Sequence, residues 1–281
     1  MSLFDGISCG QLALERSGIK IDTYFSSEID KYANLVTKHN YPNTIQLGDV
    51  QKINNIDNID LLIGGSPCQG FSSAGKGLNF NDPRSILFFE YVRLLEKTKP
   101  KYFLLENVNM KKEWQDVITS YIGVEPMFIN SRLVSAQDRK RLYWTNIPNV
   151  TQPHDKDISF QDIAGDNWFC GSMRGRRINP LTNTRDDYNK DIKIKQYIEC
   201  RKDNKTNCLT TVCKDNVAVR KRLPRQSVSN IEYRWLTPEE YEQLQTVPVG
   251  YTSIVSDSRR RTLLGNGWTV DVIVHIFKNI T

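Results

Sequence analysis

The stretch "DLLIGGSPCQG", residues 60–70, holds an apolar run that stops abruptly in two glycines, then a cysteine wedged between Pro67 and Gln69. A short apolar run bounded by turn residues is the pattern of a strand buried on both faces, as in parallel sheets covered by helices. Outward from it, strand and helix signals alternate through the first 150 residues. Before it come the strands "SLF" (2–4), "TYFSSE" (23–28) and "TIQLGDV" (44–50). Between them lie the helices "GQLALERSG" (10–18), with Gly18 placed to stop it, and "DKYANLVTKHN" (30–40). After it, Asp82 and Pro83 suit the cap and first residue of the helix "RSILFFEYVRLLEKT" (84–98). "KYFLLEN" (101–107) reads as a buried strand and "KKEWQDVITSYI" (111–122) as a helix. "PMFINSRLVS" (126–135) and "RLYWTNI" (141–147) read as paired antiparallel strands. Such alternation predicts an α/β fold with a mainly parallel sheet wrapped by helices.

After Pro148 the pattern breaks. Residues 151–233 are rich in Asn, Arg, Lys and Asp, with short β-like pieces such as "NCLTTVC" (207–213) and "NVAVRK" (216–221). "TPEEYEQLQTV" (237–247) restores a helix, N-capped by Thr237 with Pro238 first, while the β-branched "TVDVIVHIF" (269–277) fits a buried helix or a strand. We therefore expect a main domain of residues 1–150 plus 255–281 and a smaller one of residues 151–254. The chain of 281 residues, 39% hydrophobic and 25% charged, can bury a sizeable core. No apolar run approaches the roughly 20 residues a bilayer span needs, and Met1 abuts the first strand, leaving no room for a leader. A cytoplasmic address, or a nuclear one in a eukaryote, follows as the expectation. The net charge is +6, and between Thr151 and Trp235 stand 17 basic and 11 acidic residues, leaving 21 of each sign elsewhere. The whole excess sits in one segment, which suits a surface facing a polyanion. Six cysteines form no C-x-x-C pair and three histidines lie far apart, so no metal is expected; Cys200, Cys208 and Cys213 are the only candidates for one.

Ligands of open α/β sheets bind outside the carboxyl ends of the strands. The first strand ends in "FDGISCG", where Gly6 and Gly10 allow either a plain tight turn or a close approach of backbone to a ligand. The second ends in Glu28, either an exposed acid at a helix start or an acceptor for ribose hydroxyls, and the third in "GDV", where Asp49 is placed to accept from an adenine amine. No basic residue accompanies these ends, which points to an adenosine-type cofactor without phosphates. The fourth ends in Cys68, either a small buried hydrophobe or a nucleophile at a cleft mouth. The fifth ends in Glu106, a carboxyl directly after an apolar run and therefore costly to bury or functional. Gln137, Arg139 and Arg141 alternate, so an extended strand turns all three to one side.

"FDGISCG", "GDV", "GGSPCQGFSSAGKG", "LLENV", "AQDRKRLY", "RWLTPEEYEQLQTVP" and "LGNGWTVDVI", in this order, resemble the successive motifs of the DNA (cytosine, carbon 5) methyltransferases. The likeness runs from Leu3 to about Ile276 and spares roughly residues 151–231; "LFDGI" and Trp268 are also similar to the mammalian de novo branch. The first motif departs from the commoner Phe-x-Gly-x-Gly arrangement, because Gly10 arrives late. The chain looks like a prokaryotic or phage enzyme. The resemblance implies a class I methyltransferase fold, a Rossmann-like mixed sheet with a small target-recognition domain, S-adenosylmethionine as cofactor, and double-stranded DNA as partner of a monomer, with a cognate restriction endonuclease as a further candidate partner. Carried over residue by residue, Phe4, Asp5, Gly6, Ile7, Ser8, Cys9 and Gly10 line the cofactor. Glu28 and Ile29 hold its ribose side, Asp49 and Val50 its adenine, and Pro67, Asn266, Gly267 and Trp268 close the pocket. Cys68 is the nucleophile on carbon 6, Glu106 engages N3 and the amine of the cytosine, Arg141 its O2, and Arg139 supports the site. Gln69, Ser72, Lys76, Gln137, Arg174, Arg176, Arg177, Thr210 and Thr211 are the DNA-contacting candidates.

Carbon 5 of cytosine is too poor a nucleophile to take a methyl group directly, and addition of a thiolate at carbon 6 makes it enamine-like. Two rivals stand beside this reading: an RNA methyltransferase of the same fold, separated by a duplex-DNA against tRNA assay, and a catalytically dead binding protein, against which the intact Cys68, Glu106 and Arg141 set argues.

Overall fold

A computed structural model describes residues 1–67, 86–222 and 225–281. Among them, seven strands form one sheet: β1 (Ser2–Leu3), β2 (Phe25–Ser27), β3 (Ile45–Gln46), β4 (Leu61–Gly64), β5 (Tyr102–Val108), β6 (Met127–Asn130) and β7 (Lys140–Thr145). Their order is β3-β2-β1-β4-β5-β7-β6. Strands β1 to β5 pair in parallel, and β7 runs antiparallel between β5 and β6, so the expected parallel sheet and its antiparallel pair are both present. The helices of this half are α1 (Cys9–Arg16), α2 (Lys31–Asn40), α3 (Ile86–Thr98) and α4 (Lys112–Ile122). Helix α1 stops where Gly18 takes φ +72°. Helix α2 starts on Asp30, whose carboxylate accepts from Tyr32 N at 2.7 Å and Ala33 N at 3.2 Å. Asp82 and Pro83 lie outside the described residues.

The second half opens with the short α5 (Gln161–Ala164) and builds a five-stranded antiparallel sheet in the order β11-β9-β8-β10-β12. Its strands are β8 (Phe169–Arg176), β9 (Lys195–Cys200), β10 (Val217–Val219), β11 (Gln226–Ser227) and β12 (Tyr233–Trp235). "NVAVRK" does supply β10. "NCLTTVC", expected to be β-like, is instead a loop that ends in a 3₁₀ turn at Cys213–Asp215. Three helices return to the main sheet: α6 (Pro238–Leu244), α7 (Asp257–Asn266) and α8 (Val270–Phe277). Thr237 caps α6 as expected, its hydroxyl accepting from Glu240 N at 3.2 Å while Glu240 Oε2 accepts from Thr237 N at 2.8 Å. The open choice at residues 269–277 resolves to a helix, because Val270, Ile273, Ile276 and Phe277 form one buried stripe on the main core.

Alternation along the strands divides the interior of the main domain. Ile63, Leu104 and Tyr143 join the core of α1, α2 and α8, whereas Leu62, Leu105, Leu142 and Trp144 join that of α3 and α4. The smaller sheet has its own cluster of Met173, Ile198, Val217 and Val219, and its opposite face sends Cys170 and Ala218 into the first core. Because β1 pairs with both β2 and β4, the strand order reverses there, the point outside whose carboxyl ends open α/β sheets hold their ligands.

Glu242, fully buried in α6, accepts from Gly250 N at 2.7 Å and Thr252 N at 2.8 Å and lies 3.1 Å from Arg260 of α7. Arg260→Leu leaves that carboxylate buried without its cation, and we expect a loss of about 3–5 kcal/mol in urea unfolding. A loss below about 1 kcal/mol would show that the pair does not hold α6 against α7.

Candidate active site

The loop from β1 to α1 is built around three left-handed residues, Phe4 (φ 55°), Gly6 (φ 59°) and Ser8 (φ 59°). For Phe4 and Ser8 this conformation costs on the order of 1–3 kcal/mol each and persists only where the surroundings dictate it. They do so here. Asp5 turns inward and accepts from Ser8 Oγ at 2.6 Å, Ser26 Oγ at 2.8 Å and Tyr24 OH at 2.9 Å. Burial raises its pKa and the hydroxyls oppose that shift. Tyr251 OH donates to Ile7 O at 2.8 Å, and Gly6 N donates to Glu28 Oε2 at 2.9 Å. Glu28 Oε1 also accepts from Ile29 N and Asp30 N, both at 2.8 Å, so its carboxylate is fixed from three sides while the adjacent Ile29 stands 77% exposed. Asp49 accepts from Gln51 N at 3.1 Å, and Val50 beside it is buried. Gly10 is the second residue of α1, and a Cβ there would stand 2.3 Å from Ile63 Cδ1, 3.0 Å from Tyr24 OH and 3.5 Å from Trp268 Cζ3, so the helix start packs closely against the sheet and Trp268.

At the carboxyl end of β5, Glu106 shares the parity of Leu104 and turns toward the α8 side. Arg141 Nε of β7 lies 2.8 Å from its Oε1, an ion-pair contact without hydrogen-bond alignment, and Trp268 Nε1 donates to Oε2 at 3.1 Å. Gly65 fits under both partners: a Cβ would meet Glu106 Oε2 at 2.9 Å and Trp268 Nε1 at 3.0 Å. The next residue of β5, Asn107, donates to Ser66 Oγ at 3.2 Å and anchors the segment that runs through Pro67 toward Cys68. Cys68, Gln69, Ser72 and Lys76 themselves lie outside the described residues. Cys9 and Cys170 are unsuited to attack, since burial pushes each thiol up to about 12.

Arg139 and Gln137 are scaffold residues. The Arg139 guanidinium is buried and donates to Leu209 O at 3.1 Å, Gly265 O at 3.4 Å and Gly267 O at 2.9 Å, joining β7 to the segment that carries Trp268. Gln137, expected at DNA, is fully buried. Its amide donates to Leu244 O and Gln245 Oε1, both at 3.1 Å, and its oxygen accepts from Leu209 N at 2.8 Å. This corrects its role, because none of its polar atoms faces solvent. Asn107 and Gln245 escaped the sequence reading. Gln245 Nε2 donates to Leu264 O at 2.6 Å and Gly267 O at 3.1 Å, and its only sequence signal is a polar residue at a helix end. Asn266 beside this network is exposed.

The three arginine candidates of the second half make contacts within it. Arg174 pairs with Asp215, Arg176 meets Glu199 through Nε at 2.7 Å and Nη2 at 2.8 Å, and Arg177 Nη1 donates to Asp187 O at 3.4 Å. Thr210 Oγ1 donates to Asp215 Oδ2 at 2.8 Å, and Thr211 follows where the loop touches Gly265. Among the described residues no group of three or more His, Cys, Asp and Glu is placed to hold a metal, Cys200, Cys208 and Cys213 included. No helix among them is long and apolar enough to cross a membrane.

A family model described as C-5 cytosine-specific DNA methylase matches residues 1–122 and 137–281. The orphan methyltransferase M.SPRI of Bacillus phage SPR is 39% identical over 160 residues, 51% of this chain and 36% of that one. The type II methyltransferase M.NgoBV of Neisseria gonorrhoeae is 42% identical over 185 residues, 57% of this chain and 43% of that one. The chain thus spans less than half the length of these curated relatives. The solved structure of the Entamoeba histolytica methyltransferase EhMeth superposes with a TM-score of 0.72 at 18% identity, covering 100% of this chain and 98% of its own. That of S. pombe Dnmt2 gives 0.65 at 17%, covering 98% and 96%. At such identity these two likenesses speak for the fold.

Gly65→Ala forces a methyl group between Glu106 and Trp268. We expect a loss of roughly 1–3 kcal/mol in denaturant unfolding together with a changed near-ultraviolet signal from Trp268. An unchanged spectrum and stability would mean that the carboxylate and the indole have room to spare.

Proposed function

The chain belongs to the C-5 cytosine-specific DNA methylase family, and from that premise we propose that it methylates carbon 5 of a cytosine flipped out of duplex DNA. The observation that carries this reading is the Glu106–Arg141 pair beside Trp268, on the same rim as the Gly65–Pro67 segment that leads to Cys68. The residues present fit S-adenosylmethionine. Glu28 is pinned with its neighbour Ile29 exposed, and the strained 4–8 loop is held in shape by the hydroxyls on Asp5 and by Tyr251. Glu28 and Ile29 would flank its ribose, Asp49 and Val50 its adenine, and Phe4, Gly6, Pro67 and Asn266 to Trp268 its remaining sides. When bound, S-adenosylmethionine supplies the methyl group that carbon 5 takes up.

The chain's own residues do the rest. Cys68, as thiolate, adds to carbon 6, and the ring electrons move toward N3, where Glu106 holds the proton that neutralises them. Arg141 orients O2, and Arg139 keeps the Gly265–Gly267 segment, and with it Trp268, in place. After methylation, a solvent base takes the carbon 5 proton, its electron pair expels the Cys68 thiolate and restores the carbon 5–carbon 6 double bond, and N3 returns its proton to Glu106. Taking the base out of the stack costs a few kcal/mol. The segment from Thr151 to Trp235, which holds the basic excess, is proposed to grip the DNA and select its sequence.

Bisulfite sequencing of DNA from cells that express the protein tests the activity, and DNA carrying 5-fluorocytosine should trap a denaturation-resistant adduct that Cys68→Ala does not form. Glu106→Gln should slow methylation on the order of 10²–10⁴-fold, and an unchanged rate would reduce Glu106 to a structural role. Asp49→Ala should weaken S-adenosylmethionine binding by roughly 1.5–3 kcal/mol; equal affinity by calorimetry would remove Asp49 from the adenine pocket.

A further inference from the structure

We propose that Cys208 is a positioning residue, whose sulfur couples the loop of residues 207–216 to the two arginines of the active site. The inference rests on the methyltransferase reading, since it is that reading which gives Arg141 a base to hold. Cys208 Sγ accepts from Arg139 Nη1 at 3.2 Å and from Arg141 Nη2 at 3.7 Å, and it donates to Leu209 O at 3.4 Å. It is the one atom to which both guanidinium groups donate among the described hydrogen bonds. Arg139, just before β7, and Arg141, within it, thus share one acceptor supplied by the loop.

The loop behind this sulfur is wedged from the other side. A Cβ on Gly265 would stand 2.6 Å from Thr210 O and 3.2 Å from Thr211 N, so the loop lies directly on the end of α7 that leads to Trp268. Its far end belongs to the smaller sheet. Asn207 Nδ2 donates to Ser172 Oγ at 2.7 Å and to Asp215 O at 2.8 Å, and Asp215 holds Arg174. A displacement of Arg174 or Thr210 on DNA therefore has a route through Asp215 and Asn207 to the adjoining Cys208, and from its sulfur to Arg141 and the ion pair with Glu106. Seating of the recognition loop and alignment of the base-holding arginine become one event. In this arrangement a wrongly seated sequence slows the chemical step as well as weakening binding.

The test compares Cys208→Ala, which removes the acceptor, with Cys208→Ser, which keeps one. With cognate duplex at saturation, Cys208→Ala should lower kcat by about tenfold to a hundredfold, the size of one lost hydrogen bond to a charged group, with KM for DNA within about threefold. Cys208→Ser should recover most of that loss. An alanine variant at wild-type kcat, a loss confined to KM, or a serine variant as slow as the alanine would each overturn the assignment. Nitrogen-15 NMR of the arginine side chains gives a readout independent of turnover. Arg139 and Arg141 should show separate, slowly rotating Nη signals in the wild type that merge in Cys208→Ala. If the wild type methylates no cytosine, the functional reading fails, while this spectrum still decides whether Cys208 holds the arginines; signals unchanged by the substitution would show that it does not.

Discussion

A carboxylate at the buried end of a strand is stable only if partners are brought to it, and the Glu106 side chain draws them from two remote parts of the chain. Arg141 arrives on the antiparallel strand β7, and the Trp268 indole arrives on the turn between α7 and α8. Without that demand, β7 would have no reason to carry a guanidinium into the interior, and the C-terminal helices would need no fixed register against β5. Arg139 and Gln245 serve the same demand one layer out, because they hold the backbone carbonyls at residues 264–267 from which Trp268 projects, and Gln137 in turn donates to Gln245. The site is thus a chain of obligations that begins with one desolvated charge.

The other half of the crevice is organised by strain. Left-handed Phe4 and Ser8 bend the β1–α1 loop away from the sheet, and the hydroxyls gathered on Asp5 keep it bent. Those hydroxyls come from the loop itself and from β2 with its approach, so the loop's shape depends on a neighbouring strand being in register. The same neighbour ends in Glu28, whose grip on Gly6 N closes the circuit. A ligand entering here meets a surface already fixed, which lowers the conformational cost of binding it.

Much of this was legible in the sequence, and the exceptions share a cause. Apolar runs ending in Gly, Cys or Glu marked β4 and β5, and the capping residues Asp30 and Thr237 marked helix starts, because each rests on local chemistry. Periodicity correctly turned Gln137, Arg139 and Arg141 to one side, yet it had no way of telling that this side meets Leu209 and Gly267 as well as the crevice. Strand β8 was missed because Gly171, Ser172, Arg174 and Gly175 favour no strand by themselves; it forms because β9 and β10 pair with it from both sides. Val270 to Phe277, left open between helix and strand by its β-branched residues, is helical because its apolar stripe packs against α1. Cys208 carried no signal in the sequence beyond its identity. Each miss was settled by a partner far along the chain.

That distance has a consequence for how the molecule comes into being. Trp268 reaches Glu106 across 162 residues, Tyr251 reaches Ile7 across 244, and Arg16 reaches Asp271 across 255. Contacts of such separation are closed late and slowly, since the loop entropy must be overcome before they form. A chain emerging from the ribosome can fold its parallel strands while its crevice still lacks a wall, and α8 must find α1 after everything between them has been made. A complete crevice therefore appears only at the end of assembly, and fragments released early hold most of the sheet without a finished site.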